Sequence, residues 1–379
     1  MKKKSKLPKR LRFLLLLVFG GIMGYLVGRM LAVPNANPMP LGMKLGTMAL
    51  LIPAFLIVIA WHEAGHAVAG IKVGFDFQLY VVGPFMWEKD RSGWHFKWNK
   101  NVNTAGGLVL CLPVGAANLS RRFTMYAAGG PMASLLLTLL AWGLYVIFFQ
   151  GNPASHPGVE LTGTLLLFTA LLSLLIFFVT AIPFHAGGFY SDGARVLRLL
   201  KGGDAAKFDI LMLKIVTEST GGVRPKLLNL AEIAEAQTIA KRLNEPFGVY
   251  FHHFLHQAAF DRGDLDEAEK HLLDYIEEAD KIPEGIRNGV WLDAAFFYAY
   301  AKKDLPTASR FWAQFKPTAM IPKAQILATE AALCAVKNEP EKMLSTIDAA
   351  MKALPDMMDK GIAIALAEKL SLLKALGGG

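Results

Sequence analysis

Two histidines four residues apart, with a glutamate beside the first, stand in the run Trp61-His62-Glu63-Ala64-Gly65-His66. On an α-helix, positions i and i+4 share a face, so His62 and His66 turn their imidazoles the same way, as a pair of metal ligands must. Glu63 is set to take a proton from a water held by that metal. Residues 45–61, which lead into the motif, carry no charge. Imidazoles and a carboxylate are costly in hydrocarbon unless they bind something or line a wet cavity. The expectation is a metal-assisted hydrolytic centre at membrane depth. A pair of buried, hydrogen-bonded histidines is the plainer alternative, and it leaves that cost unanswered.

A catalytic zinc typically takes three protein ligands and keeps one position for water. The missing donor has to come from another segment at similar depth. Asp192 is the only carboxylate between Glu160 and Asp204, and it lies just past the apolar run 161–183. His185 is the rival, because imidazole ligates zinc as well as carboxylate does. Asp192 also suits the N-cap of a helix, since Asp192-Gly193-Ala194-Arg195 precedes an apolar-periodic stretch; capping and ligation are compatible. His252 and His256 repeat the four-residue spacing without an adjacent glutamate, and are read as packing or surface histidines.

The elements that must position these groups follow from composition. Of the 379 residues, 53% are hydrophobic and 19% charged, which excludes an ordinary soluble domain and calls for membrane spans. Four are expected, at about 13–33, 45–71, 125–149 and 161–183, with Pro53 kinking the second. A cleaved signal peptide is the alternative reading of the first. The net charge of +9 is concentrated: seven basic residues precede the first apolar run, and others fall at 72–122 and after the fourth span, while residues 33–43 and 150–160 contain no Lys or Arg. That asymmetry is a topology signal, with both termini cytoplasmic in an integral, multi-pass protein of, for example, a bacterial cytoplasmic membrane. No nucleic-acid module accompanies the charge. Cys111 and Cys334 are too few for a disulfide framework or a cysteine zinc site.

Within residues 73–122, Trp94-His95-Phe96-Lys97-Trp98 alternates with the period of a half-buried strand. Residues 75–82 and 108–112 are strand-like too, so a small membrane-associated β element is expected, with aromatics as interfacial anchors. From about 201 to 379 the composition is that of soluble helices. Turns at Gly263-Asp264, Lys303-Asp304 and Asn338-Glu339 recur at a spacing near that of tetratricopeptide repeats, with Ala258, Ala268, Ala301, Ala308 and Ala335 at packing positions. The fold class is thus an α-helical membrane protein: a basic N-terminus (1–12), a transmembrane domain (13–200) with its β element, and a cytoplasmic tetratricopeptide-like helical domain (201–379).

The pairing of His62-Glu63-x-x-His66 in one span with Asp192-Gly193 after a later one resembles the site-2 protease family of intramembrane zinc metalloproteases, over residues 44–200. Gly130-Pro131 resembles a further element of that family, although Ser134 stands where its members often have Asn, and Thr180-Ala181 precede Pro183. The resemblance implies zinc on His62, His66 and Asp192, Glu63 as catalytic base, and hydrolysis of peptide bonds in membrane-embedded or membrane-adjacent substrates. Regulated intramembrane proteolysis is the family-typical role, and maturation of a small peptide is a second possibility. Partners would be a membrane protein or peptide substrate, the bilayer, and a cytoplasmic protein on the helical repeats. A non-catalytic membrane scaffold acting through those repeats is the competing class.

Overall fold

The computed structural model describes residues 41–377 apart from 91–92, 100–105, 116, 152–156, 187–188, 283 and 319–320. The basic arm 1–12 and the apolar run 13–33 lie outside the described residues. The described residues are mostly helical, with a small four-stranded antiparallel sheet and a two-strand hairpin.

Three helices among the described residues are long and apolar enough to cross a membrane: Leu45–Lys72, Leu119–Phe148 and Gly158–Ala181. The first is built from α1 (Leu41–Ala49) and α2 (Leu51–Lys72), interrupted at Leu50. Pro53 explains the break and its position. It offers no N–H to Ala49, and its ring crowds that same carbonyl one turn back, so the disturbance falls N-terminal to the proline. After the sheet come α3 (Leu119–Phe148) and α4 (Pro157–Ala181). α3 begins six residues before the expected span because Arg121 and Arg122 end the apolar run without ending the helix. Side chains such as Ile52, Leu139 and Ile147 are exposed, as suits a helix apolar on every side. Ser173, fully buried, donates its hydroxyl to Ser134 O at 2.8 Å, a polar tie between α3 and α4 of the sort that glues apolar helices.

The sheet has the order β3-β2-β1-β4, from β1 (Phe75–Val82), β2 (Phe85–Asp90), β3 (Gly93–Trp98) and β4 (Leu108–Pro113). β2 is an addition to the three strands expected. Gly83, at φ +55°, takes the first place of the two-residue β1–β2 turn, which demands a left-handed residue. Register pairs Phe85 with Trp98 and Trp87 with Phe96, so aromatic rings gather on one face. Trp94, Phe96 and Trp98 there are 45%, 49% and 62% exposed.

Beyond a two-strand hairpin at His185–Ala186 and Phe189–Tyr190, α5 (Asp192–Lys201), α6 (Gly203–Thr220) and α7 (Leu230–Leu243) lead into three helix–turn–helix pairs. These are α8 (Tyr250–Arg262) with α9 (Leu265–Glu277), α10 (Glu284–Tyr300) with α11 (Leu305–Gln314), and α12 (Lys323–Val336) with α13 (Pro340–Ala353), closed by α14 (Lys360–Gly377). The turns fall where the sequence reading put them. Gly263, Lys303 and Asn338 have positive φ, and Asp264 and Asp304 cap the following helices. Ala258, Ala268 and Ala308 are fully buried, whereas Ala301 and Ala335 are only half-buried.

The chain falls into two compact units, divided at Trp61/His62, Met132/Ala133 and Phe178/Val179. The residues His62, Glu63, His66 and Asp192 all belong to the unit that also holds the sheet and the later helices.

Candidate metal centre

Small residues bring the backbone of α3 onto α2. A Cβ added at Gly129 would lie 2.4 Å from Gly65 O and 2.7 Å from the Ala69 Cβ, so nothing larger than glycine fits this crossing. Gly70, one turn on, is closed off by Cys111 of β4 and by Tyr126, where an added Cβ would stand 2.8 Å from Cys111 Sγ. Arg122 fastens the sheet to the same helix ends. Its guanidinium donates to the carbonyls of Val73 at 2.7 Å and of Gly74 and Val114 at 2.9 Å, while lying over the Phe75 ring. Each such charge-assisted bond contributes roughly 1.5–3 kcal/mol.

His62 and His66, both buried, stand one above the other on α2 with their ring centres 4.9 Å apart. His66 Nδ1 is 2.8 Å from the carbonyl of Tyr126. Gly130 N lies farther from the same nitrogen, at 3.3 Å. In the tautomer that donates Nδ1–H to the nearer Tyr126 carbonyl, the lone pair of the ring sits on Nε2, facing inward. Tyr126 is itself held by its hydroxyl, which donates to Val109 O of β4 at 2.9 Å.

Asp192 reaches this pair from the first turn of α5: its Oδ2 lies 3.5 Å from His62 Nε2 and 3.4 Å from His66 Nε2. Burial acts to raise the Asp192 carboxyl, but the facing imidazoles of His62 and His66 outweigh it and hold the group well below the usual carboxylate range. The N-cap of α5 is Ser191, one residue earlier than the sequence suggests. Ser191 Oγ accepts from Ala194 N at 3.2 Å and from Phe184 N at 3.1 Å, and donates to Ile182 O at 2.8 Å. That knot leaves the Asp192 side chain free of capping. His185 is not among the converging donors; its ring stacks on Tyr190, centres 4.5 Å apart.

Gly193 shows why the aspartate is followed by glycine. A Cβ there would lie 1.8 Å from Ala181 O at the end of α4, and a backbone carbonyl cannot rotate away. Gly193→Ala is therefore expected to destabilise the chain by about 1–3 kcal/mol and to displace Asp192. Zinc content measured beside the melting temperature tests this; undiminished zinc would count against Asp192 as a ligand.

α5 is fixed from its other side by a buried network. Arg198 donates to Asp209 at 2.7 and 3.0 Å and to Glu245 at 2.8 Å, and the Tyr190 hydroxyl donates to Glu245 at 2.7 Å. Removing one member of such a group costs about 3–5 kcal/mol. Neither this network nor the Tyr126 carbonyl was read from the sequence.

The donors fit a metal ion. Bonds of ~2.0–2.1 Å in tetrahedral array put neighbouring ligand atoms about 3.3–3.4 Å apart, close to the two nitrogen–oxygen separations observed. Gly130 of α3 supplies the cradle. A Cβ built on it would lie 2.3 Å from His66 Nε2 and 2.6 Å from His62 Nε2, so the space between the two nitrogens exists because residue 130 has no side chain. Glu63 is half-buried and stands close enough to β1 that its carboxylate adds to the burial pushing the Tyr80 phenol up to about 12. Tyr80 accordingly keeps its hydrogen at neutral pH.

Against known proteins, the chain matches no family model, no curated protein and no solved structure.

Proposed function

We propose that this chain is an intramembrane zinc metallopeptidase, similar to the site-2 protease family, that hydrolyses peptide bonds of membrane-embedded or membrane-adjacent substrates. One observation carries the reading: two imidazole nitrogens on a helix apolar enough to cross a membrane converge at ligand spacing with a carboxylate oxygen from the first turn of α5. His62, His66 and Asp192 would hold the zinc, which when bound would acidify a water and polarise the scissile carbonyl. Glu63 accepts the proton of that water and returns it to the leaving amine. The carbonyl of Tyr126 keeps His66 turned towards the centre throughout.

The topology that goes with this function has four spans. Residues 13–33 form the additional one, and both termini lie in the cytoplasm on the side rich in Lys and Arg. The helix pairs starting at Tyr250, Glu284 and Lys323 form a tetratricopeptide-like domain that recruits substrate or a cytoplasmic regulator, as stacked helix pairs present concave surfaces. β3 is an edge strand bearing exposed aromatics. A substrate helix has to unwind before attack, and an extended segment can add to that edge. Replacing Trp94, Phe96 and Trp98 together by Ser is expected to lower cleavage at least about tenfold while zinc stays bound. Unchanged cleavage would discard the strand-addition step alone.

The function is tested with the full chain in detergent and a transmembrane reporter. Cleavage that is lost on chelation with 1,10-phenanthroline and restored by zinc is the expected result. Cleavage indifferent to the chelator would overturn the reading.

A further inference from the structure

We propose that the helical region carries a second metal site, for a divalent transition-metal ion of the zinc type, formed by His252, His271 and Asp274. The inference does not depend on the peptidase reading. His252 lies on α8, and His271 and Asp274 lie one turn apart on α9, the other half of the same helix–turn–helix pair. One donor atom from each residue lies within 4.8 Å of the donor atoms of the other two. His252 Nδ1 is 3.6 Å from Asp274 Oδ2, slightly wider than the edge of a tetrahedral zinc site, which is about 3.3–3.4 Å.

The surroundings of the two rings point to ligation rather than mere proximity. His271 Nδ1 is buried and has no hydrogen-bond partner, an unusual state for a ring nitrogen inside a protein. Its other nitrogen, Nε2, faces Glu267 Oε1 at 3.8 Å. His252 faces the side-chain amide nitrogen of Gln237 on α7, which lies 2.8 Å from Nε2 and 3.3 Å from Nδ1. That nitrogen only donates; with the amide turned end for end, its oxygen accepts from Nε2–H, the tautomer that leaves the Nδ1 lone pair facing Asp274. Ligating imidazoles are commonly fixed in this way through the nitrogen away from the metal. His256, by contrast, sets its Nδ1 2.8 Å from Ala268 O and packs on Phe260 and Phe297, as a core histidine does. His252 and His256, four residues apart, therefore serve no common centre, because His252 finds its partners on the facing helix.

Two imidazoles and one carboxylate select zinc-like ions over magnesium or calcium, which prefer oxygen. Burial is graded across the site: His252 is buried, whereas the Asp274 side chain is 42% exposed. An ion held here is therefore reachable from solvent and retains open positions for water, so it exchanges with the surrounding metal pool. Its occupancy ties α8 to α9 and, through Gln237, bears on α7, making the first helix pair stiffer when metal is present.

The test uses the full chain carrying His62→Asn and His66→Asn, which removes the donors at the other centre. Incubated with zinc and passed into metal-free buffer, this chain is expected to retain one zinc, and adding His271→Asn with Asp274→Asn is expected to leave none. Asp274→Asn alone, at a part-exposed position that asks little of the fold, is expected to weaken zinc binding at least about tenfold. Far-ultraviolet circular dichroism verifies folding in each case. A folded His62→Asn/His66→Asn chain that holds no zinc, or one whose zinc is untouched by the further substitutions, overturns the proposal. The zinc lost between the native chain and this background reports on the other centre separately.

Discussion

Glu63→Gln is expected to keep its zinc and lose cleavage by about 10²–10⁴-fold, the range for removing a positioned general base. Glutamine preserves the size of the side chain and most of its contacts but cannot take a proton. Metal should survive because the converging donors are His62, His66 and Asp192, with Glu63 outside that set. The same variant separates the enzyme from a scaffold built on identical helices. In a scaffold the biological output would be unaffected by Glu63→Gln, and a reporter would be uncut in the native chain too. Zinc content and reporter cleavage measured together on one preparation decide between them. Retained zinc with unimpaired cleavage would remove Glu63 from the chemistry.

Gly130→Ala is expected to weaken zinc binding at least about 100-fold without weakening the helix that carries it. In a helix interior alanine is favoured over glycine by about 1 kcal/mol, so on propensity alone α3 should gain. The added methyl, however, would stand 2.3 and 2.6 Å from the two inward nitrogens, in the space a metal needs. The nearest atoms are ring ends, which can turn aside, so the helix crossing persists while the centre is blocked. Loss of zinc with an unchanged or higher melting temperature for the metal-free protein is the expected signature. Gly143→Ala on the same helix is the control, since nothing lies within 4 Å of a Cβ there. Equal zinc in the Gly130 and Gly143 variants would contradict the cradle.

The parts of the centre legible in the sequence were those set by local periodicity. His62 and His66 share a face because a helix has 3.6 residues per turn, and Asp192 stood out because an apolar stretch holds no other carboxylate. Ser191 as the cap was within reach of the same reasoning, one residue from where it was placed. The Tyr126 carbonyl and the Gly130 cradle were not legible, because each depends on which turns of α2 and α3 meet, and small residues allow many such crossings. β2 was not legible because Phe85-Met86-Trp87-Glu88-Lys89-Asp90 runs from apolar to charged along its length instead of alternating. Its charges are answered only in the fold, where Glu88 receives Lys97 at 3.0 Å. The helix pairs were legible through their turns, since Gly263-Asp264, Lys303-Asp304 and Asn338-Glu339 recur at similar spacing without reference to the rest of the chain.

The central claim, that His62, His66 and Asp192 together grip one divalent ion, is tested most directly by X-ray absorption at the zinc edge. The sample is the full chain carrying His271→Asn and Asp274→Asn, so that a single centre is observed. The account predicts one zinc per chain, with nitrogen and oxygen neighbours at about 2.0–2.1 Å and the outer scattering of two imidazoles. A folded chain without zinc, or a zinc whose spectrum is unchanged when His66 and Asp192 are both replaced by Asn, would contradict it.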